Sequence, residues 1–300
     1  MTSALLGWVR CCGLLLVLTA GTPASAFEVR LGHGALNLRA TLELAAGKSL
    51  AEGLLILVHG TMGHRDMEVM RLVRRTLVER GHSTLAINLS LGVDAREGMF
   101  DCAVPSRHRA EDALTEIDAW VQWARDQGAG RLGLVGFSRG GQQAAWYAAQ
   151  TGQLHLARLV LLAPTFAADA ANAYAPRFGA PLEPLLQRAQ ALEQQGRADE
   201  LLAGVGFLNC ESTSVSAGAL LSYYRPARDA EPDATLRRVR VPTLLVVAGA
   251  DAIVPDLPTR VAASLDNNLI RMVVVDGADH FFRDLYGEDA ADAIDAFLRH

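Results

Sequence analysis

The chain has 300 residues, half of them hydrophobic and few aromatic, with 28 Lys and Arg against 33 Asp and Glu. That composition is ordinary for a globular enzyme, and the length suits one large domain or two small ones. A weakly negative balance with no basic run argues against nucleic acid as a partner.

The first residues read differently from the rest. Arg10 precedes the apolar stretch Cys11 to Ala20, and Ala24-Ser25-Ala26 has the small-x-small pattern of a cleavage site. This is the pattern of a secretory signal peptide over residues 1–26, with the mature chain starting near Phe27. The apolar run is too short to span a membrane comfortably, and no cysteine follows it at a lipoprotein processing site. We therefore expect an exported protein, periplasmic or secreted, with no stable membrane span once the signal is removed. Cys11 and Cys12 would leave with the signal, so Cys102 and Cys210 remain. In an oxidising compartment two remaining cysteines invite one disulfide; two buried free thiols are the alternative.

Leu36 to Leu44 alternates strictly between apolar and polar residues, the period of a strand with one buried face, antiparallel and near a sheet edge. Phe27 to Leu31 can pair with it through the His33-Gly34 turn. Leu54 to Val58 is continuously apolar, as a strand buried on both faces should be. A helix follows over Met67 to Glu79, with Met70, Val73 and Leu77 on one side and Gly81 as its stop. A strand at Thr84 to Leu89 leads to a loop, Ser90 to Arg107. Helical spacing resumes over His108 to Gln127, where Ala110, Ala113, Leu114, Ile117, Trp120, Val121 and Ala124 form one stripe.

Next comes a short apolar run (Leu132, Leu134, Val135), then Gly136-Phe137-Ser138-Arg139-Gly140, then a helix-compatible run from Gln142 to Gln150. Strand, sharp turn and helix form the context in which Gly-x-Ser-x-Gly means a nucleophile elbow. The serine is forced into a strained backbone geometry, and Gly136 and Gly140 let strand and helix approach. A strand at Leu159 to Leu162 follows. Strands alternating with amphipathic helices define the class as α/β, a mostly parallel sheet with helices on both faces.

Residues 166–236 break the alternation. They lack a clear buried strand and carry a helical run from Leu182 to Gln194, which reads as a helical cap inserted between two sheet strands. The rhythm then returns with a strand at Thr243 to Ala248, a helix over Asp256 to Leu265, a strand at Arg271 to Val275 and a last helix near Asp289 to Leu298.

A serine hydroxyl is a weak nucleophile at neutral pH and needs a base, and the base needs a carboxylate to hold its tautomer. Of eight histidines, only His280 lies in the loop directly after the final strand, where open α/β sheets place their sites. Asp251 follows the strand at Thr243 to Ala248 and is the chosen acid. Asp169 is its rival, Asp256 reads as a helix N-cap, and Asp276 and Asp279 lie too near His280 in sequence. Glycines after the first buried strand, in His59-Gly60-Thr61-Met62-Gly63, expose backbone N–H groups. Those of Thr61 and Arg139 are the candidate oxyanion donors, while His59 braces the loop by hydrogen bonding.

These motifs resemble the α/β-hydrolase superfamily over nearly all of the mature chain: His59-Gly60 with Thr61, Gly136 to Gly140, Gly249-Ala250-Asp251 running to Val254-Pro255, and Gly277 to His280. The resemblance implies an eight-stranded sheet, a triad of Ser138, His280 and Asp251, no cofactor or metal, and a cap that shapes specificity. A serine at the elbow departs from the aspartate of dehalogenase- and epoxide-hydrolase-type members and from the cysteine of dienelactone-hydrolase-type members. Hydrolysis through an acyl-enzyme is thus favoured, with a small-molecule ester or related acyl compound as the substrate. Amide hydrolysis or acyl transfer by the same residues, and a non-catalytic binding role, are the alternatives. Arg139 is a charged choice whose side chain contacts the cap, a substrate or solvent. Tyr223, Tyr224 and Arg225 either line a pocket or pack the lid. In this picture a Cys102–Cys210 bridge staples cap to core, which a Cα separation well beyond about 7 Å would exclude.

Overall fold

The computed structural model describes residues 25–150, 155–225, 232–265 and 268–299. Of the expected signal segment only Ser25 and Ala26 fall among them; the rest, with Cys11 and Cys12, lies outside the described residues. No helix of the described residues is long and apolar enough to cross a membrane.

The chain begins with an antiparallel pair, β1 (Ser25–His33) and β2 (Leu36–Leu44). The alternation in β2 buries Leu38 and Ala40 and leaves Asn37 exposed. The uninterrupted apolar run of β3 (Leu54–Val58) is buried at every residue, as expected for a strand covered on both faces. Helix α1 (Glu68–Glu79) turns Met70, Val73 and Leu77 inward, and β4 (Thr84–Asn88) follows.

Helix α2 (Asp112–Asp126) starts four residues later than its apolar stripe predicts. The Asp112 carboxylate accepts from the Arg109 amide at 2.7 Å, a local bond that opens the helix there. The residues before it are drawn to partners distant in sequence: His108 Nδ1 bonds the Tyr223 hydroxyl at 2.9 Å, and the Ala110 amide donates to Ser222 Oγ at 3.1 Å. Then come β5 (Leu132–Phe137), α3 (Arg139–Gln150) and β6 (Leu156–Leu162).

The segment after β6 departs from a purely helical insert. It contains α4 (Ala167–Phe178), α5 (Glu183–Gln194), an antiparallel pair β7 (Leu201–Phe207) and β8 (Cys210–Ser216), and α6 (Ala217–Tyr224). The pair has two register shifts and strands rich in Gly, Ser and Thr, so no apolar alternation marks it in the sequence. Helix α7 (Pro232–Arg238) then packs against α3. The chain closes with β9 (Thr243–Ala248), the short α8 (Leu257–Val261) running into a 3-10 turn, β10 (Ile270–Val275) and α9 (Tyr286–Leu298).

Eight strands form one sheet in the order β1-β2-β4-β3-β5-β6-β9-β10. All neighbours from β4 to β10 are parallel, while β1–β2 and β2–β4 are antiparallel. One face packs on α1 and α9 through Val73, Leu77, Ile294 and Phe297. The other packs on α2 and α3 through Ile117, Trp120, Val121 and Ala144. This is an α/β sheet layered by helices on both faces, with its central strand, β5, leading into Ser138.

A disulfide joins Cys102, in the loop after β4, to Cys210 in β8, with a Cα separation of 5.5 Å. Around it the Ser106 amide donates to Ser214 O at 2.8 Å, the Ser216 amide to Ser106 O at 2.9 Å, and Thr213 Oγ1 to Cys102 O at 2.8 Å. The loop after β4 and the inserted hairpin are thus one hydrogen-bonded unit.

Candidate active site

Ser138 sits between β5 and α3 with a φ of 54°, a conformation that costs a non-glycine residue energy and persists only where its surroundings impose it. The imposition comes from close packing. A Cβ on Gly136 would collide with the Gly140 carbonyl, and one on Gly140 with the carbonyls of Val58 and His59. The Ser138 amide donates to Leu162 O at 2.9 Å, and the Gly141 amide returns a bond to Ser138 O at 2.9 Å. Strand, elbow and helix are locked together by backbone alone.

The loops after β9 and β10 are tied by backbone bonds from Gly249 N to Val275 O at 2.9 Å and from Ala250 N to Ala278 O at 2.8 Å. That pairing brings Asp251 and His280 side by side. His280 Nδ1 lies 2.7 Å from Asp251 Oδ2, and the Ser138 hydroxyl donates toward His280 Nε2 at 3.0 Å. The other oxygen of Asp251 accepts from the amides of Ile253 at 2.7 Å and Val254 at 3.0 Å. Burial alone would raise the Asp251 pKa. The hydrogen bond from His280 and those two amides outweigh it and hold the carboxyl below its ordinary value. All three side chains are buried.

The rival acid has a different occupation. Asp169 caps α4 by accepting from the Phe166 amide at 2.7 Å, and its second oxygen pairs with Arg260 at 2.8 Å. Asp279 accepts from the Phe281 amide and pairs with Arg283, each within the loop.

His59 is buried and neutral. Burial, reinforced by the Arg96 cation, lowers its pKa to about 3. Its Nδ1–H donates to Gly60 O at 2.9 Å, and Nε2 accepts from the Leu89 amide and from Arg96, each at 3.1 Å. It therefore fixes the loop after β3 against the loop after β4. Thr61 on that loop is held from two sides: Asn209 Nδ2 donates to its carbonyl at 3.2 Å, and Arg139 Nε to its hydroxyl at 3.2 Å. The backbone N–H groups of Thr61 and Arg139 have no acceptor among the described residues; that of Arg139 opens α3, where no intrahelical partner exists.

Ser138, His280, Thr61 and Arg139 border one cavity of about 360 Å³, whose apolar wall includes Met67, Phe178, Leu208, Ile253 and Phe281. Tyr224 lines it, whereas the Tyr223 ring lies against the Arg139 guanidinium, 5.2 Å from its centroid. Arg225 does not reach the cavity; it pairs with Glu183 at the surface of the insert. A second cavity of about 260 Å³ opens near the start of β3 and β5, with Lys48, Arg131 and Arg158 in its wall. Its Ser83 hydroxyl accepts from the Ala45 amide and its His82 faces Asp295, so it pairs no serine with a base. Among the described residues, no group of three or more His, Cys, Asp or Glu side chains is placed to hold a metal.

The model of the alpha/beta hydrolase family matches residues 55–296, which take in every residue of this site. The chain belongs to the alpha/beta hydrolase family. No curated protein sequence matches it. Among solved structures it is similar to Est1E from Butyrivibrio proteoclasticus with ferulic acid bound, at 21% identity over 90% of this chain and 98% of that one, with a TM-score of 0.68. It is also similar to an esterase of Pyrococcus furiosus, at 17% identity over 92% of each chain with a TM-score of 0.60. A monoacylglycerol lipase of Paleococcus ferrophilus shares 19% identity over 91% of this chain and 98% of its own, with a TM-score of 0.59. These likenesses are of fold.

Sequence reasoning missed Arg96 in this hydrolase-family site. Its buried guanidinium donates to Leu89 O at 2.8 Å, Gly63 O at 2.8 Å and Gly98 O at 2.5 Å. Backbone carbonyls leave no signature in sequence, so nothing in the loop from Ser90 to Arg107 marks it out.

Proposed function

We propose that this chain is an exported serine hydrolase that cleaves carboxylic esters through an acyl-enzyme. One observation carries the reading: the unbroken hydrogen-bond chain from Ser138 Oγ through His280 to Asp251. His280 Nε2 takes the serine proton as Oγ attacks the ester carbonyl, while Asp251 holds Nδ1–H and stabilises the imidazolium. A depressed carboxyl pKa keeps Asp251 ionised at neutral pH. The oxyanion accepts from the N–H groups of Thr61 and Arg139; one such donor is worth roughly 3 kcal/mol in the transition state. His280 then protonates the leaving alkoxide, and a water deprotonated by the same ring splits the acyl-enzyme, releasing the acid and restoring Ser138.

The esterase and lipase names among structures of like fold support the choice of ester as the bond cleaved. The mostly apolar cavity wall suits an organic acyl or alcohol group. The leader pattern in residues 1–26 and the disulfide support export to an oxidising compartment, and the inserted segment from α4 to α6 serves as the cap.

The test is chemical. A fluorophosphonate should label Ser138, and Ser138→Ala should abolish hydrolysis of a p-nitrophenyl ester with the circular dichroism spectrum unchanged. Turnover retained by the alanine variant would refute the assignment.

A further inference from the structure

Most buried arginines here are matched. Arg74 pairs with Asp66 at 2.9 Å and Glu43 at 3.3 Å, Arg65 pairs with Glu97 at 3.1 Å, and Arg96 donates to three carbonyls. Arg139 is buried to the same degree and is not matched. Among the described residues it makes no ion pair, and its one hydrogen bond runs from Nε to Thr61 Oγ1. Its two terminal nitrogens have no partner there, yet they are not among the sealed-off polar atoms, and the residue borders the cavity that holds Ser138. Asp169 borders the same cavity and its charge reaches Arg139, but its two oxygens are bonded to the Phe166 amide and Arg260 rather than to this guanidinium.

The guanidinium is also held in place. Its face rests on the Tyr223 ring, and the Tyr223 hydroxyl is tied to His108, whose ring is packed by Phe100 and Phe207. A buried guanidinium whose terminal N–H groups lack acceptors is costly to keep, and an anion entering the cavity would supply them. The free edge of a guanidinium presents parallel N–H groups that match a carboxylate in bidentate fashion. One such cation balances a single negative charge. The other arginine at the cavity, Arg177, is exposed and donates to Asn209.

We propose that Arg139 binds a carboxylate on the substrate, so that the preferred esters carry a free carboxyl group in their acyl or alcohol part, as half-esters of dicarboxylic acids do. This deepens the esterase reading and rests on it for the reacting bond, but the anion site itself can be tested without hydrolysis.

The deciding measurement is calorimetric binding of monomethyl glutarate to the Ser138→Ala protein, with and without Arg139→Met. The expected result is one site, weakened by about tenfold to a hundredfold when the guanidinium is removed, with Arg139→Lys in between. Absence of binding, or binding indifferent to both Arg139 substitutions, overturns the proposal. Inorganic phosphate bound more tightly than monomethyl glutarate overturns the choice of a carboxylate. In parallel, wild-type kcat/KM for mono-p-nitrophenyl glutarate should exceed that for p-nitrophenyl valerate, and Arg139→Met should collapse the ratio. The ratio is read within each enzyme because the Arg139 amide also serves the oxyanion. Ser138-dependent cleavage of both esters without charge preference would retain the esterase reading and overturn the carboxylate site. Arg139-dependent binding with no cleavage of either ester would do the reverse.

Discussion

The end of the central sheet and the inserted segment beside it meet at one cavity, but different interactions hold them. At the sheet end, β3, β5 and β9 are buried at every residue, and Ser138 is oriented by a positive φ and by glycines against carbonyls. The insert has exposed helix faces and an irregular hairpin. It is joined to the rest by a disulfide, backbone bonds of Ser106 with Ser214 and Ser216, the Asn209–Thr61 bond and the Tyr223–His108 bond. Close backbone packing holds Ser138 to small tolerances, whereas the insert is attached through separate local ties that do not set the geometry of the elbow.

The largest expected effect is Asp251→Asn, which should lower kcat by about 10,000-fold with little change in thermal stability, since the shape is kept. A loss below about tenfold in ester kinetics would remove Asp251 from its role.

Glycine substitutions should separate the two regions next. Gly140→Ala drives a methyl into two backbone carbonyls and should cost about 3 kcal/mol or more. Gly196→Ala, in open space after α5 at a φ of 72°, should cost only about 1 kcal/mol. Comparable urea midpoints for the two variants would contradict the division.

The Cys102→Ser, Cys210→Ser double variant should lose about 2–4 kcal/mol. It should also lose discrimination among bulky esters while still cleaving a small one. Unchanged discrimination would show that the bridge does not hold the cavity wall.

Acid should strain both regions. Burial lowers the pKa of His59 and of His108 to about 3, while in the unfolded chain each takes up its proton near the ordinary 6.5. Between these values the unfolded state binds more protons. Stability therefore falls as pH falls from about 6.5 toward 3, by up to about 1.4 kcal/mol per pH unit for each histidine. Urea unfolding at pH 7 and pH 5 checks this, and coincident curves would refute it. A modest effect is expected of Tyr223→Phe, which removes the hydroxyl that His108 Nδ1 bonds and should cost about 1–2 kcal/mol in the same assay.

Much of the sheet was legible because its signals are local. A run such as Leu54 to Val58 can satisfy its burial only between two helix layers, and the alternation in Leu36 to Leu44 only with one face covered. The elbow at Ser138 was legible because close approach demands glycine at Gly136 and Gly140. The β7–β8 pair was not, because its strands gain their definition from each other and from the Ser106 segment rather than from an apolar pattern. The start of α2 was misplaced for a related reason: His108 fits the helical stripe, yet a partner 115 residues away claims it.

The sequence alone thus determined the succession of strands and helices outside the insert, the strained serine and a short list of acids and bases. These follow from periodicity and from steric limits on a few neighbouring residues. Only the tertiary structure decided which acid meets His280, since that depends on the pairing of the loops after β9 and β10. It alone decided that Asp169 is occupied by α4 and Arg260, and that Arg139 is buried beside the cavity with no carboxylate paired to it. Charge compensation is a matter of which groups come within a few ångströms, and chain order does not state those distances.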